Sequence, residues 1–218
     1  MKKSVLAALA AVFVFVSSFP AFAGYWKLEE TSAAYRSLGY DSKMWTYIKD
    51  DGSCAEDEWM LIDGKWYYFL GYMITGMRYI DDVQYYFADS GALEVNRDYG
   101  FATINEDGVF SMAQANPAAD TAYNNIYADY CRSFGVDIDR ILEAIRADRS
   151  CSISCSTEKV PTDSEGKPFI AGIGECVGEA IRYDNEYYTP EHSLLGLRIS
   201  YGKADNNMFS VNCSNFGF

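Results

Sequence analysis

The chain has 218 residues and a formal net charge of −13, which results from 31 acidic and 18 basic side chains. A surface this acidic argues against nucleic acid and against anionic membranes as partners, because both attract basic proteins. It also argues against attachment to a cell wall by simple cationic adhesion to phosphate polymers. A cationic ligand remains compatible with this composition.

The first 23 residues have the pattern of a secretory signal peptide. Lys2 and Lys3 precede a short apolar run, and residues 21–23 (Ala-Phe-Ala) provide a small-x-small cleavage site. The apolar run is too short for a transmembrane anchor, and no second run follows it. We therefore expect a secreted mature chain that begins near Gly24 and does not insert into a membrane.

Residues 24–43 show no clean hydrophobic period. The sequence predicts an irregular N-terminal cap here, because the end unit of a repeat array must cover its exposed face. Hairpin units are expected to begin at Met44 and to continue to residue 112.

Residues 59–93 hold two copies of one pattern at an offset of eighteen residues. Segment 59–69 (WMLIDGKWYYF) aligns with segment 77–87 (MRYIDDVQYYF), so each copy has an apolar run, a polar pair and an aromatic run. An Asp-Gly or Asp-Asp pair between such runs indicates the tight turn of a β-hairpin. A repeat near twenty residues cannot bury a core alone, so the pattern predicts a solenoid of stacked hairpins.

These residues resemble the cell-wall-binding repeat of Gram-positive surface proteins, which is also called the choline-binding or glucan-binding repeat. The similar segments are IDGKWYYF, GYMITG and IDDVQYYFADSGAL, with a preceding unit at 45–59 and a shortened last copy at 100–109. The resemblance covers residues 40–110, about a third of the chain. It implies a secreted or cell-wall-associated protein whose repeats bind choline or a wall glycan.

In this repeat family, choline sits in a cage of aromatic rings from adjacent hairpins. The ring faces attract a quaternary ammonium group by about 0.5 to 2 kcal/mol per ring. The resemblance places Trp59, Trp66 and Tyr85 in such a cage, with Met73 or Tyr79 closing its side. The alternative interpretation is that these aromatic side chains only fill the core between the hairpins.

The second copy departs from the family pattern. It carries Met77 and Gln84 where the two cage tryptophans would stand, and the third copy has no aromatic run. At most one complete cage is therefore expected, or two if Trp45 pairs with Trp59. A single weak cage would give low affinity unless the protein is multivalent.

The sequence changes character after residue 112. Asn116 before Pro117 predicts a helix start, aromatic and apolar residues follow at helical spacing, and Gly135 ends the helix. A second short helix is expected after Asp137. Strands are predicted at 151–155, 175–183, 194–201 and 208–213, with a turn at 162–167 and a hairpin loop (GKADNN) before the last strand.

Two helices followed by an antiparallel meander predict a small α+β domain. The expected organisation is a signal peptide at 1–23, a cap at 24–43, hairpin repeats at 44–112 and the α+β domain at 113–218. The fold class is thus mainly β for the repeats and α+β for the remainder.

Six cysteines in a chain that is expected to be secreted indicate disulfides. Five lie beyond residue 130, and Cys54 stands alone among the repeats. Cys151 and Cys155 share a strand face but are too far apart to bond each other. We expect one or two disulfides in the C-terminal part; alternatively, several cysteines are small buried hydrophobic residues. Zinc is not expected, since there is no C-x-x-C pair and one histidine.

The C-terminal part offers two kinds of candidate catalytic residue. Cys131 and His192 would form a Cys–His pair, but Cys131 falls on an apolar helix face where packing is its default role. Acidic pairs would suit a glycosidase, although most acidic residues here solvate the surface. Those pairs are Glu175 with Glu179 and Asp184 with Glu186. No catalytic residue, cofactor or metal is therefore predicted.

The sequence thus favours a non-catalytic envelope protein of a Gram-positive bacterium. Its repeats would bind choline or wall glycan, and its C-terminal domain would be displayed to a protein partner. Two alternatives stay open: an envelope hydrolase of Cys–His or glycosidase type with an unrecognised catalytic domain, and repeats that act only as a structural spacer.

Overall fold

The computed structural model describes residues 24–37, 41–113, 125–147, 149–184, 197–201 and 207–215. The chain divides into two compact units, Met1–Ala55 and Glu56–Phe218. The predicted signal peptide lies outside the described residues, and the predicted domain boundaries stay a prediction. Within the described part of the chain, no helix is long and apolar enough to cross a membrane.

The first unit contains a hairpin where an irregular cap was predicted. Strand β1 (Tyr25–Glu30) and strand β2 (Lys43–Ile48) pair antiparallel, and helix α1 (Ala33–Ser37) lies between them in sequence. The segment is thus regular where irregular structure was expected, and its role as a cap stays a prediction. The sequence did not indicate a strand because β1 has no buried residue, so its alternation of apolar and polar side chains is weak. Cross-strand contacts hold β1 against β2; the rings of Trp26 and Tyr47, for example, have centroids 5.2 Å apart.

The two aromatic repeats form β-hairpins, as predicted. The first consists of β3 (Glu58–Ile62) and β4 (Lys65–Phe69), and the second of β5 (Gly76–Ile80) and β6 (Val83–Phe87). Both have two-residue turns with positive φ at both positions, at Asp63-Gly64 and Asp81-Asp82. This backbone matches the right-handed twist of paired strands, which explains the polar pair in each repeat.

The shortened third repeat forms a three-stranded antiparallel sheet. Its strands are β7 (Arg97–Asp98), β8 (Ala102–Ile104) and β9 (Phe110–Met112), with β8 in the centre. The described β-structure of this region therefore consists of small antiparallel sheets of two or three strands. A continuous solenoid stays a prediction.

The remainder of the second unit holds three helices and a second sheet. The helices are α2 (Ile126–Ser133), α3 (Ile138–Arg146) and α4 (Ile170–Arg182); the strands are β10 (Cys151–Ser156), β11 (Leu197–Tyr201) and β12 (Met208–Asn215). Asn125 and Asp137 cap α2 and α3 through their side chains, because each accepts a hydrogen bond from a backbone N–H of the first turn. The predicted helix start at Asn116 lies outside the described residues.

Two predictions for this part are wrong. Residues 175–183, predicted as a strand, belong to α4, whose buried residues follow a helical period from Ala171 to Ile181. Glycines at 172, 174 and 178 disguise this helix in the sequence; Gly172 is needed because a Cβ there would meet the Phe169 ring at 2.2 Å. The sheet is also not a meander, since α4 separates β10 from β11 and the strand order is β10-β12-β11.

One continuous core joins the repeats to the helices. It includes Met77 and Tyr86 of the second hairpin, Phe101 of the third repeat, and the buried faces of all three helices of this unit. Phe169, which is fully buried, contacts the ring of Tyr86 at a centroid distance of 4.5 Å. Residues on both sides of position 112 therefore contribute to the same hydrophobic core.

Candidate functional site

The strand register decides which aromatic side chains share a face. In the first hairpin Trp59 lies opposite Tyr68, and Trp66 lies opposite Leu61 two positions along. Directly paired residues, and residues two apart on one strand, project from the same side of a sheet. Both tryptophans of the predicted cage therefore project from one face of the first hairpin.

That face contacts the second hairpin. The Trp59 ring meets the Tyr85 ring edge-on with centroids 5.0 Å apart, and it lies 5.1 Å from Tyr68 and 5.7 Å from Phe87. Edge-to-face pairs of this kind stabilise by about 0.5 to 1.5 kcal/mol beyond their buried area. We call the contacting rings of Trp59, Tyr68, Tyr85 and Phe87, together with Trp66 on the same face of the first hairpin, the inter-hairpin layer.

The two tryptophans of the inter-hairpin layer differ in exposure. Trp59 is partly buried and packs against a small core formed by Tyr68, Ile74, Ile80 and Phe87. Trp66 is 45% exposed, at the rim of the layer. Its carbonyl oxygen accepts a hydrogen bond of 2.8 Å from the backbone N–H of Leu93, which fixes the strand that presents the ring.

The other two predicted cage residues lie elsewhere. Met73 is 7% exposed and packs against Gly91, where an added Cβ would lie 2.2 Å from its sulfur. Tyr79 lies opposite Gln84, on the face of the second hairpin that points away from Tyr85. Ring contact thus joins Trp59 to Tyr85, and Trp66 shares the face of Trp59 by register. Met73 packs elsewhere, and Tyr79 lines the cavity described next, so the five-residue cage stays a prediction.

A cavity of about 240 Å³ opens at the other edge of the same two hairpins. Its charged groups are Asp57, Arg78 and Asp81, and Tyr68 forms part of its wall. The hydroxyl of Tyr68 donates a hydrogen bond of 2.6 Å to Asp57 Oδ1, and this bond raises the pKa of Tyr68 to about 12. The cavity thus offers hydrogen-bonding groups of both charges beside an aromatic ring.

Sequence analysis did not single out these cavity residues. Asp57 has a φ of 50°, which is uncommon for a residue other than glycine, but no repeat motif marks it. Arg78 and Asp81 occupy ordinary positions of a hairpin strand and its turn. The cavity arises from how two hairpins meet, which a pattern within one hairpin does not encode.

The candidate catalytic residues lie in the core or in ion pairs. Cys131 is fully buried and its thiol contacts Cys176, and the hydrogen bond that it donates to that sulfur, together with burial, raises its pKa. A buried thiol with a raised pKa is a poor nucleophile. Asp184 accepts two hydrogen bonds from Arg146, of 3.0 and 2.7 Å. His192 and Glu186 lie outside the described residues.

The two carboxylates of α4, Glu175 and Glu179, lie one helical turn apart. Burial raises the pKa of Glu175, and the charge of Glu179 acts in the same direction. In the described part of the chain, no group of three or more Cys, His, Asp or Glu side chains is arranged to hold a metal ion.

The six cysteines are all described and all carry free thiols in the structure. No disulfide is formed in the structure, so the expected one or two disulfides stay a prediction. Cys155 lies opposite Phe209 across its strand pair, and Cys54 belongs to the first unit. The alternative of small buried side chains fits Cys131, Cys155, Cys176 and Cys213, each at most 3% exposed.

No protein-family model and no curated protein matches the chain. Among solved structures, parts of the chain are similar to choline binding protein F from Streptococcus pneumoniae in the presence of a peptidoglycan analogue, with 28% identity and a TM-score of 0.29. That match covers 33% of this chain and 24% of that one.

Two further neighbours are of the same kind. CbpJ from Streptococcus pneumoniae is 31% identical over 31% of this chain and 24% of its own, with a TM-score of 0.29. The phage Cp-1 endolysin complexed with choline is 26% identical over 42% of this chain and 25% of its own, with a TM-score of 0.32. These structural neighbours are choline-binding proteins. The chain spans about a quarter of their length.

Proposed function

We propose that this chain is a non-catalytic, exported protein of the cell envelope that binds choline or a wall glycan through its aromatic hairpins. Its C-terminal α+β part would be held at the wall for a protein partner. The observation that carries this proposal is the inter-hairpin layer, where the Trp59 and Tyr85 rings touch and an exposed Trp66 completes the rim.

The chemistry of the layer suits a quaternary ammonium group. Such a group donates no hydrogen bond but is attracted to aromatic faces, most strongly to tryptophan. Asp57 and Asp81 at the neighbouring cavity add negative charge, and the whole chain carries a formal charge of −13. Three rings at about 0.5 to 2 kcal/mol each contribute about 1.5 to 6 kcal/mol together, which corresponds to dissociation constants from roughly 100 mM to some tens of micromolar.

The cavity beside Tyr68 favours a wall glycan as the second candidate ligand. Arg78 donates to the carbonyl oxygen of Met77 and can also donate outward, while Asp57 and Asp81 accept hydrogen bonds. Sugar hydroxyls need both kinds of partner. A volume of about 240 Å³ suits a small ligand or one ring of a larger one.

Binding to purified cell walls tests the proposal. Residues 24–218 would be sedimented with walls that carry choline and with matched walls that lack it, with free choline as competitor. We expect sedimentation with the choline-bearing walls, release by free choline, and loss in Trp66→Ala. Trp45→Ala is the matched control, because Trp45 and Trp66 are 44% and 45% exposed.

Other outcomes separate the alternatives. Equal binding to both walls, lost in Arg78→Ala but kept in Trp66→Ala, would identify the glycan as the ligand. Absence of binding to either wall would contradict wall attachment and leave the repeats as a spacer. Release of soluble wall fragments during the incubation would instead support the hydrolase alternative.

A further inference from the structure

Two pairs of cysteines lie close together although both pairs are distant in sequence. Cys131 on α2 and Cys176 on α4 have sulfur atoms 3.7 Å apart and are both fully buried. The Cys131 thiol donates to the Cys176 sulfur, and the Cys176 thiol donates to the carbonyl oxygen of Tyr127 at 3.5 Å. A disulfide holds its sulfurs about 2.05 Å apart, so these two thiols are neighbours that have to approach further to form one.

The second pair belongs to the C-terminal sheet. Cys151 at the start of β10 is the direct cross-strand partner of Cys213 on β12. Directly opposite residues in an antiparallel pair have Cα atoms about 4.5 to 5.5 Å apart, which lies within the range of about 4.4 to 6.8 Å that a disulfide spans. Burial raises the pKa of Cys213 to about 12, and Cys151 contributes to the shift.

The remaining two cysteines do not fit this arrangement. Cys155 is on the same strand face as Cys151 but has Phe209 as its cross-strand partner. Cys54 is exposed and lies in the other unit of the chain. The six cysteines thus divide into two pairs and two single thiols.

We propose that the exported chain carries two disulfides, Cys131–Cys176 and Cys151–Cys213, of which the first is a sealed structural cross-link and the second is open to exchange. The first would join α2 to α4 and close a loop across the helical core. The second would join the edge strand β10 to the central strand β12 of the C-terminal sheet. Neither follows from sequence spacing, because the pairs are 45 and 62 positions apart (176 − 131 and 213 − 151).

The reaction balances with a disulfide oxidant such as glutathione disulfide. One cysteine thiolate attacks the oxidant and releases one glutathione thiolate, and the second cysteine thiolate then displaces the other glutathione. One S–S bond breaks and one forms, two electrons pass from the chain to the oxidant, and the two cysteine protons end on two glutathione thiols.

The surroundings of the two pairs explain their different access. Cys131 and Cys176 are fully buried, so a reductant reaches them only when the helices separate. Cys151 lines an open cleft of about 290 Å³ together with Arg140, Glu143, Arg149, Ser150 and Ser152. Two guanidinium groups and one carboxylate give the cleft a net positive charge, which favours a small thiol that carries carboxylates, such as glutathione, over a neutral one.

Peptide mapping of the refolded protein tests the pairing. Residues 24–218 would be refolded in a mixture of oxidised and reduced glutathione, alkylated and digested, and the cross-linked peptides identified by mass spectrometry. We expect the Cys131–Cys176 and Cys151–Cys213 peptides, with Cys54 and Cys155 alkylated as thiols. Either pair missing, or a cross-link through Cys54 or between Cys131 and Cys155, would overturn the proposal.

Stability gives a second readout. Because a disulfide that closes a long loop restricts the unfolded chain, we expect full reduction to lower the melting temperature by roughly 5 to 15 °C. Cys155→Ser, which removes a thiol outside both pairs, is the control and should keep the difference between oxidised and reduced protein. An equal melting temperature in both states would contradict a structural cross-link.

Graded reduction tests the difference in access. At low glutathione without denaturant, alkylation should reach Cys151 and Cys213 at least about ten times faster than Cys131 and Cys176. In Arg140→Gln/Arg149→Gln the rate with glutathione should fall by about threefold or more while the rate with neutral mercaptoethanol stays the same. Reduction of both cysteine pairs at the same rate would contradict the assigned access. So would an equal fall of the reduction rate with glutathione and with mercaptoethanol in the double arginine variant.

Discussion

The hydroxyl of Tyr86 donates a hydrogen bond to Asp163 Oδ2 at 3.2 Å, which ties the second hairpin to the turn before α4. Asp163 is 3% exposed and also accepts from the backbone N–H groups of Glu165 and Lys167. A buried carboxylate needs such partners, because an unpaired one is costly to desolvate. The repeats and the helical part are thus joined by a satisfied polar contact within one core.

Tyr86→Phe removes one partner of this buried carboxylate. We expect the free energy of unfolding to fall by about 1 to 3 kcal/mol, since the hydrogen bond involves a charged acceptor. Chemical denaturation measures the change. Tyr79→Phe, at a side chain that is 69% exposed, is the control and should change stability by less than about 0.5 kcal/mol. Equal effects of the two variants would contradict the role of the contact.

Gly91→Ala should destabilise the second hairpin more than Gly71→Ala does. Both glycines have positive φ, at 83° and 73°, so both substitutions strain the backbone by about 1 kcal/mol. A Cβ at Gly91 would also overlap the sulfur of Met73, while a Cβ at Gly71 meets nothing within 4 Å. We expect a further loss of about 1 to 3 kcal/mol at Gly91, measured by thermal unfolding. The interpretation fails if the two variants unfold alike.

The Tyr68–Asp57 contact predicts a pH dependence in the alkaline range. The pKa of Tyr68 is raised from 10.0 to about 12, so the neutral phenol is favoured in the folded state. Its contribution is fully present below pH 10 and is lost as the pH rises towards 12. The difference in ultraviolet titration between the protein and Tyr68→Phe reports this phenol. Asp57→Asn should shift its ionisation back towards pH 10; an unchanged midpoint would contradict the assigned cause.

Asp184→Asn should weaken the junction of α3 and α4. The Asp184 side chain is 10% exposed and binds the Arg146 guanidinium through both oxygens. Loss of this charge-assisted pair is expected to cost about 1 to 3 kcal/mol of unfolding free energy. Glu143→Gln is the matched control, because Glu143 is exposed and lies 4.0 Å from Arg149, so its loss should cost less than about 0.5 kcal/mol. A reversed order in denaturant titrations would refute this ranking.

Local patterns predicted the hairpins because turn chemistry acts over a few residues. The Asp-Gly and Asp-Asp pairs fix both turns, and Asp137 fixes the start of α3. The same local rules failed at α4, where glycine serves the packing of Phe169 against the helix. They also failed at β1, whose pairing partner lies beyond an intervening helix.

The candidate site was predictable in part for the same reason. The sequence singled out Trp59, Trp66 and Tyr85 as candidates because their positions in the repeats match those of the repeat family that the chain resembles. Tyr79 and Tyr85 are on opposite faces because of the strand register. Tyr79 pairs with Gln84 and shares its face, whereas Tyr85, the next residue along β6, projects from the other face. The cavity with Asp57 and Arg78 depends on how two hairpins meet, and no single repeat contains that information.

Choline titration followed by tryptophan fluorescence tests the central claim most directly. All four tryptophans (Trp26, Trp45, Trp59 and Trp66) lie in the N-terminal half, so the signal of residues 24–218 reports on the hairpins. Trp45→Ala is the matched control for Trp66→Ala, because the two side chains are 44% and 45% exposed. We predict a saturable change at millimolar choline that Trp45→Ala keeps and Trp66→Ala loses. A flat titration to high millimolar choline, or saturation that persists in Trp66→Ala, would contradict ligand binding by the inter-hairpin layer.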